Sequence, residues 1–194
     1  MIALIDYGAG NTASVANALE RLGCQYVLTR LEGEICRSDK IIFPGVGEAS
    51  FAVRQLHRYN LINLLRIVRK PMLGICLGMQ LMCEFTEEGS VAGLSLIPGR
   101  IVKLDESRAT VPHTGWNEVS FVKESRLFRG IREGEFFYFN HSYYLPVTEH
   151  TTAKTEHVTE ISAAVEKDNL YGVQFHPEKS GEAGLKVLRN FLEI

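Results

Sequence analysis

Met72-Leu73-Gly74-Ile75-Cys76-Leu77-Gly78-Met79-Gln80 decides the fold. A short apolar run, Met72 to Ile75, reads as a buried strand, and a helix is predicted to follow through Leu81 and Met82. Between them stands Gly74-x-Cys76-x-Gly78, a nucleophile-elbow pattern with cysteine in the place of serine. Glycines two residues to either side allow a sharp corner, so the side chain at its tip stands clear of its neighbours. The N-terminus of the following helix then points at the thiol, and its partial positive charge favours the reactive thiolate. The alternative is packing, because cysteine is among the most buried residue types. Cys83 lacks the flanking glycines and reads as core filler.

Outward from the elbow, the chain alternates strand and helix signals. Ile2 to Ile5 is an apolar run ending at Asp6 and a glycine turn. Val15, Leu19 and Leu22 recur at helical spacing, with Asn11 and Thr12 as candidate caps and Gly23 as the stop. Gln25 to Thr29 and Lys40 to Phe43 read as the second and third strands. Leu61, Leu64, Leu65 and Val68 share a helix face, and Pro71 closes that helix. Wholly apolar strands separated by amphipathic helices imply parallel strands covered on both faces. Beyond Gly99 the strand-like runs Ile101 to Leu104, Phe136 to Phe139, Ile161 to Val165 and Leu170 to Val173 suggest antiparallel additions at one side. A last helix carries Leu185, Leu188 and Leu192. The prediction is an α/β fold: one domain, residues 1–194, with a mixed, mostly parallel central sheet flanked by helices.

The 194 residues are 45% apolar and 23% charged, with a formal net charge of −2. A chain of this size buries about 70% of its unfolded surface, enough for a core without staples. The balanced, scattered charge argues against nucleic acid as a partner. No run approaches the roughly 20 apolar residues that span a bilayer, which argues against a membrane. The start, Met1 to Tyr7, has Asp6 where a leader would be basic. The four cysteines form no C-x-x-C pair and have no histidine at zinc-like spacing. A reducing, cytoplasmic setting without disulfide, metal or cofactor is expected.

A thiolate nucleophile needs a base. Of six histidines, only His176 sits in a constellation, Gln174-Phe175-His176-Pro177-Glu178. A residue before proline is held extended, and in an extended segment residues two apart share a side. Glu178 can therefore orient one ring nitrogen while the other faces Cys76, a Cys-His-Glu version of the nucleophile–base–orienter arrangement. His57, His150 and His157 read as solvated; His113 and His141 stay open.

These blocks resemble the class I (triad) glutamine amidotransferases, whose marks are the G-x-C-x-G elbow and a terminal His-Pro-Glu. Within that family the chain looks like the glutaminase subunits of imidazole glycerol phosphate synthase. The residues that carry this likeness are Asp6-Tyr7-Gly8-Ala9-Gly10-Asn11, Pro44-Gly45-Val46-Gly47, Pro112-His113-Thr114-Gly115-Trp116-Asn117 and His141-Ser142-Tyr143. The resemblance implies hydrolysis of glutamine to glutamate and ammonia through a cysteinyl thioester, in histidine biosynthesis. It implies oxyanion donors at Leu77 and in the loop at Val46 and Gly47. Gln80, Glu88, Ser142 and Tyr143 become substrate contacts, Glu88 pairing with the ammonium. The implied partner is a (β/α)8-barrel cyclase, met at Asn11, Trp116, Asn117 and Lys179. Thr114 departs from the larger aliphatic residue expected at its position.

Three other readings compete. Gly8-Ala9-Gly10-Asn11 opens a helix, with Glu32 about 20 residues on, which approximates a dinucleotide fingerprint and would make the chain an oxidoreductase. That reading leaves the elbow and the His-Pro-Glu unexplained. A non-catalytic module that kept the fold would not need all three triad residues. A glutaminase serving pyridoxal phosphate or anthranilate synthesis would lack the His-Thr-Gly-Trp-Asn block, by resemblance.

Overall fold

The computed structural model describes the whole chain, Met1–Ile194. In chain order it contains β1 (Ile2–Ile5), α1 (Thr12–Arg21), β2 (Tyr26–Thr29), α2 (Glu32–Arg37), β3 (Lys40–Gly45), α3 (Ala49–Arg58), α4 (Leu61–Ile67), β4 (Met72–Cys76) and α5 (Leu77–Met82). There follow β5 (Phe85–Thr86), β6 (Val91–Ala92), β7 (Arg100–Lys103), β8 (His113–Phe121), β9 (Glu135–His141), β10 (Tyr143–Tyr144), β11 (Thr151–His157), β12 (Thr159–Lys167), β13 (Leu170–Val173) and α6 (Gly181–Leu192).

Nine strands form one sheet in the order β2-β1-β3-β4-β13-β12-β11-β8-β9. The first five are parallel, and antiparallel pairing begins at β12–β13 and continues to the β9 edge. The α/β prediction with antiparallel additions at one side is therefore correct. Ile101 to Leu104, expected among the antiparallel additions to this sheet, instead falls in a separate small one, β10-β7-β5-β6. No helix is long and apolar enough to cross a membrane.

Burial on both faces explains why β1, β4 and the Ile41–Pro44 stretch of β3 have no charged or polar side chain. Ala3, Ile5, Ile41, Phe43 and Met72 pack into one core with α3, α4 and α5. Leu4, Ile42, Leu73 and Ile75 pack into the other, with α1 and α6. Asn11 caps α1 by accepting from Ser14 N at 3.3 Å, and Gly23 takes φ +66 after the helix end. Helix α3 was not legible in the sequence. Its buried face is Ala49, Ala52 and Leu56, and two small residues hide the periodicity.

At the elbow the strained residue is Cys76 itself, with φ 52 and ψ −111. The glycines serve chiefly by lacking a side chain. A Cβ on Gly78 would lie 1.9 Å from the Phe43 carbonyl oxygen, and one on Gly74 would lie 2.6 Å from Met82 Sδ and 2.7 Å from Met79 N. Helix α5 can then press on β3 and β4 with all six of its residues buried.

The β8–β9 register sets His113 opposite His141. Both are buried, and their rings share a 3.0 Å hydrogen bond. Burial, then the adjacent His157, lowers the His113 pKa to about 4. Burial, then His113, lowers His141 to about 3, against an upward pull from the Tyr143 carbonyl. Both rings are therefore neutral in the fold.

Two stability measurements follow from this packing. In urea unfolding, Gly78→Ala should cost about 3 kcal/mol by overpacking. Gly23→Ala, whose Cβ meets nothing within 4 Å, should cost about 1 kcal/mol for its left-handed backbone; equal costs would refute the steric account. The folded state also binds fewer protons at His113 and His141 than the unfolded chain does. Their contribution is intact above the ordinary 6.5 and is lost as pH falls from there toward about 4 for His113 and about 3 for His141. His141→Leu should flatten that fall in the urea midpoint, and an unchanged slope would place the acid sensitivity elsewhere.

Candidate active site

Parallel register builds the site. Gly45 is level with Cys76 across β3–β4, and Val173 is level with Ile75 across β13–β4. The residues that continue past those strand ends therefore flank Cys76: Val46 and Gly47 on one side, Gln174 to His176 on the other. This is the crevice at the carboxyl ends of parallel strands, where open α/β sheets bind ligands.

His176 is buried and extended, φ −99 and ψ 95, as Pro177 requires. Its backbone N–H donates to Tyr138 O at 2.9 Å. Its carbonyl accepts from Ser180 Oγ at 2.7 Å, while the same oxygen of Ser180 accepts from Tyr138 N at 2.9 Å. Glu178 Oε1 lies 2.8 Å from His176 Nδ1, both side chains being 1% exposed. The route differs from the extended one expected: Pro177–Lys179 is a 3-10 turn, and that turn carries the carboxylate back to the ring. His176 Nε2 is buried without a well-formed hydrogen bond. Burial lowers the pKa of this imidazole, but Cys76 and then Glu178 act upward and prevail, so the ring is held well above its ordinary value. Cys76 acts on the ring first as a hydrogen-bonding neighbour and then by charge, so its side chain is close to the imidazole. Cys83, in contrast, is buried at the end of α5, and burial pushes its thiol up to about 12; it is packing, as expected.

A cavity of about 240 Å³ opens above the sulfur. Its wall includes Val46, Gly47, Leu77, Gln80, Glu88, Ser142 and Tyr143, all seven of the oxyanion and substrate residues expected from the sequence. A larger groove beside Phe121 to Arg129 holds neither Cys76 nor any histidine. Glu88 Oε2 accepts from Ala49 N at 2.9 Å, capping α3 and leaving Oε1 free. Burial raises the Glu88 carboxyl, the Ala49 N–H opposes, and Glu48 adds to the rise. On the loop flank, the buried Tyr7 hydroxyl donates to Pro44 O at 2.9 Å. Gly10 comes close to Gly45, its Cβ position 3.6 Å from Gly45 Cα. The Gly8–Gly10 turn therefore serves close backbone approach and the α1 cap. No group of three or more His, Cys, Asp or Glu residues converges as metal ligands would.

Trp116 is 56% exposed and meets Tyr138 edge-on at 6.2 Å, so it is surface and not core. Lys179 lies over the Tyr138 ring at 5.8 Å on the same face. Asn117, on the opposite face of β8, donates to Glu156 O at 2.9 Å. His57 is exposed, as expected. His157 is not free: its ring stacks on His113 at 4.1 Å. Sequence reasoning missed two neighbours of Cys76. Asn140 O lies 3.9 Å from Cys76 Sγ, and Gln174 Nε2 lies 3.6 Å from it. Gln174 stands two residues before His176, a proximity that only the β13–β4 register reveals.

Comparison with known proteins identifies the family. The family model described as glutamine amidotransferase class-I matches residues 3–194. The imidazole glycerol phosphate synthase subunit HisH of Bacteroides fragilis is 48% identical over 195 residues, covering 100% of this chain and 99% of that one. The HisH subunit of Haemophilus influenzae is 45% identical, covering 99% and 96%. Among solved structures, a glutamine amidotransferase superposes with a TM-score of 0.76 at 16% identity, covering 100% and 98%, which speaks for the fold. PurLQS from Thermotoga maritima gives 0.74 at 18% identity, covering 99% and 97%. With a positive-φ cysteine at the elbow and a buried His–Glu pair beside it, the chain belongs to the class I glutamine amidotransferases, among the relatives named HisH.

Proposed function

We propose that this chain is the glutaminase subunit of an imidazole glycerol phosphate synthase, releasing ammonia from glutamine at Cys76 in histidine biosynthesis. The observation that carries the chemistry is the buried Glu178–His176 pair, its Nε2 left unpartnered, on a ring whose pKa Cys76 raises. His176 takes the thiol proton, and the sulfur attacks the side-chain amide carbon of glutamine. The carbonyl oxygen becomes an oxyanion within reach of the Leu77 N–H and of an N–H from the Val46–Gly47 loop. The imidazolium then protonates the leaving ammonia, giving a glutamyl thioester. Water, deprotonated by the same ring, releases glutamate. Glu178 keeps the Nδ1 proton in place throughout and balances the imidazolium charge.

The cavity lining supports the substrate class. Glu88 offers one uncommitted carboxylate oxygen for the glutamine ammonium, and Ser142 and Tyr143 line the same cavity. Gly47 adopts φ +96 with open space around it. A loop with that freedom can aim its N–H into or away from the crevice, and one oxyanion donor is worth about 3 kcal/mol. Alignment by a partner is a sufficient on/off control. For that partner we favour a (β/α)8-barrel cyclase in the cytoplasm, seated on the exposed face that carries Trp116, Tyr138 and Lys179, with Asn11 nearby. No cofactor is needed for this reaction.

Two measurements test the reading. In the complex with a cyclase, Cys76→Ala should reduce glutamine-driven synthesis to background while ammonium salts still support it. Loss of both activities would mean that Cys76 serves the fold. Trp116→Ala should weaken association with the cyclase by about 2 kcal/mol, read by titration calorimetry; an unchanged affinity would move the interface elsewhere.

A further inference from the structure

The polar groups around Cys76 form a hydrogen-bonded chain that the triad chemistry leaves unused. It is anchored on the Tyr143 carbonyl, a group that can only accept. Gln80 Nε2 donates to that oxygen at 2.8 Å, which fixes which end of the Gln80 amide is which. The second N–H of the same nitrogen donates to Gln174 Oε1 at 3.0 Å. Gln174 must then present its own Nε2 to Cys76 Sγ, at 3.6 Å. Reversing Gln174 alone would set two amino groups face to face. Reversing Gln80 as well would set its oxygen against the Tyr143 oxygen. Both side chains are buried, so water cannot relieve either mismatch.

The anchor is held from its other side too. His141 Nδ1 lies 2.9 Å from Tyr143 O and must donate to it, which leaves Nε2 as an acceptor. His113 Nδ1 donates to that nitrogen at 3.0 Å, and its own Nε2 accepts from Asn117 Nδ2 at 3.2 Å. One tautomer of each ring satisfies the whole series. The Tyr143 oxygen is thus pinned between donors, and the Gln80–Gln174 arm starts from a fixed point.

We infer that Gln174 is a positioning residue for the nucleophile, its side-chain N–H being aimed at the Cys76 sulfur by the Tyr143 carbonyl through Gln80. The inference rests on the glutaminase reading and adds a residue to it. Asn140 O can pair with the sulfur only while the thiol keeps its proton. The Gln174 N–H serves the sulfur in both states, and more strongly once it carries charge. It therefore holds the sulfur through the proton transfer to His176, the moment at which the Asn140 contact turns repulsive.

The test compares the wild-type chain with Gln174→Met and with the isosteric Gln174→Glu, each assembled with a cyclase. Both variants lack the N–H. Iodoacetamide is the probe because it makes no use of the substrate contacts, and mass spectrometry reads Cys76 separately from the exposed Cys36. Alkylation of Cys76 at neutral pH and kcat for glutamine should each fall by about tenfold or more. KM for glutamine, the labelling of Cys36 and ammonium-driven synthesis should barely change. A merely structural role would lower stability or raise KM without slowing Cys76. Wild-type rates at Cys76 in either folded variant would overturn the role of Gln174 and leave the glutaminase reading standing. A wild-type complex that turns over glutamine with Cys76 blocked would overturn both.

Discussion

Helix α5 begins in contact with the neighbouring strand, and the site depends on that approach. Gly78 can lie against the Phe43 carbonyl only because it has no Cβ. The approach forces Cys76 into positive φ, which costs of the order of 1–3 kcal/mol for a residue with a side chain. That strain persists because α5 is buried at every position and cannot relax outward. It also decides direction. The corner turns the sulfur into the crevice between the β3 and β13 strand ends and places the Leu77 N–H beside it. Register does the rest, since Gly45 and Val173 are fixed relative to the strand that carries the nucleophile.

A second constraint is charge. His176 and Glu178 are almost wholly inaccessible, and Glu178 Oε2 finds no partner at all. A buried carboxylate with an orphan oxygen is tolerable only if positive charge lies close by. The imidazole supplies that charge when protonated, and the sulfur beside it can supply the proton. Surface pairs such as Arg21–Glu182, at 3.5 Å and well exposed, carry no such consequence. Burial makes proton position in the triad sensitive to a single neighbour, which is useful for a group that must take a proton and return it.

The sequence revealed those parts of the site that local pattern encodes. Gly74-x-Cys76-x-Gly78 and His176-Pro177-Glu178 are short, and their residue types have a mechanical reason to be there. The wholly apolar parallel strands were equally plain. Strand β11, Thr-Thr-Ala-Lys-Thr-Glu-His, was not, because its buried positions are threonines and an alanine. Helix α3 was hidden by alanines on its inner face. His113 and His141 could not be read either way, since a neutral relay and a solvated ring look alike until strand pairing sets them opposite each other. Gln174 lay in plain view within the His-Pro-Glu block. Its meaning depended on which strand ran alongside.

The β8–β9 hairpin brings these constraints together. Alternation along β8 turns Thr114 and Trp116 outward and His113 and Asn117 inward. The face proposed for the partner and the inner hydrogen-bonded chain are thus one residue apart on the same strand. Two paired positions join the hairpin to β11, Ala153 with Phe121 and Lys154 with Ser120, and the Val122 and Lys123 N–H groups both donate to Thr152 O at the end away from the site. Beyond them, side chains replace the ladder: Thr155 Oγ1 on Glu118 O, Asn117 Nδ2 on Glu156 O, and the His157 ring on His113. At its other strand, Tyr138 O receives the His176 N–H. A slip in register would turn every outward residue inward, so the pairing of β8 with β9 fixes which residues face the site. The hairpin meets the Tyr143 anchor through His113 and His141 and the base through Tyr138. The two flanks of Cys76 are therefore both tied to one element, the β8–β9 hairpin.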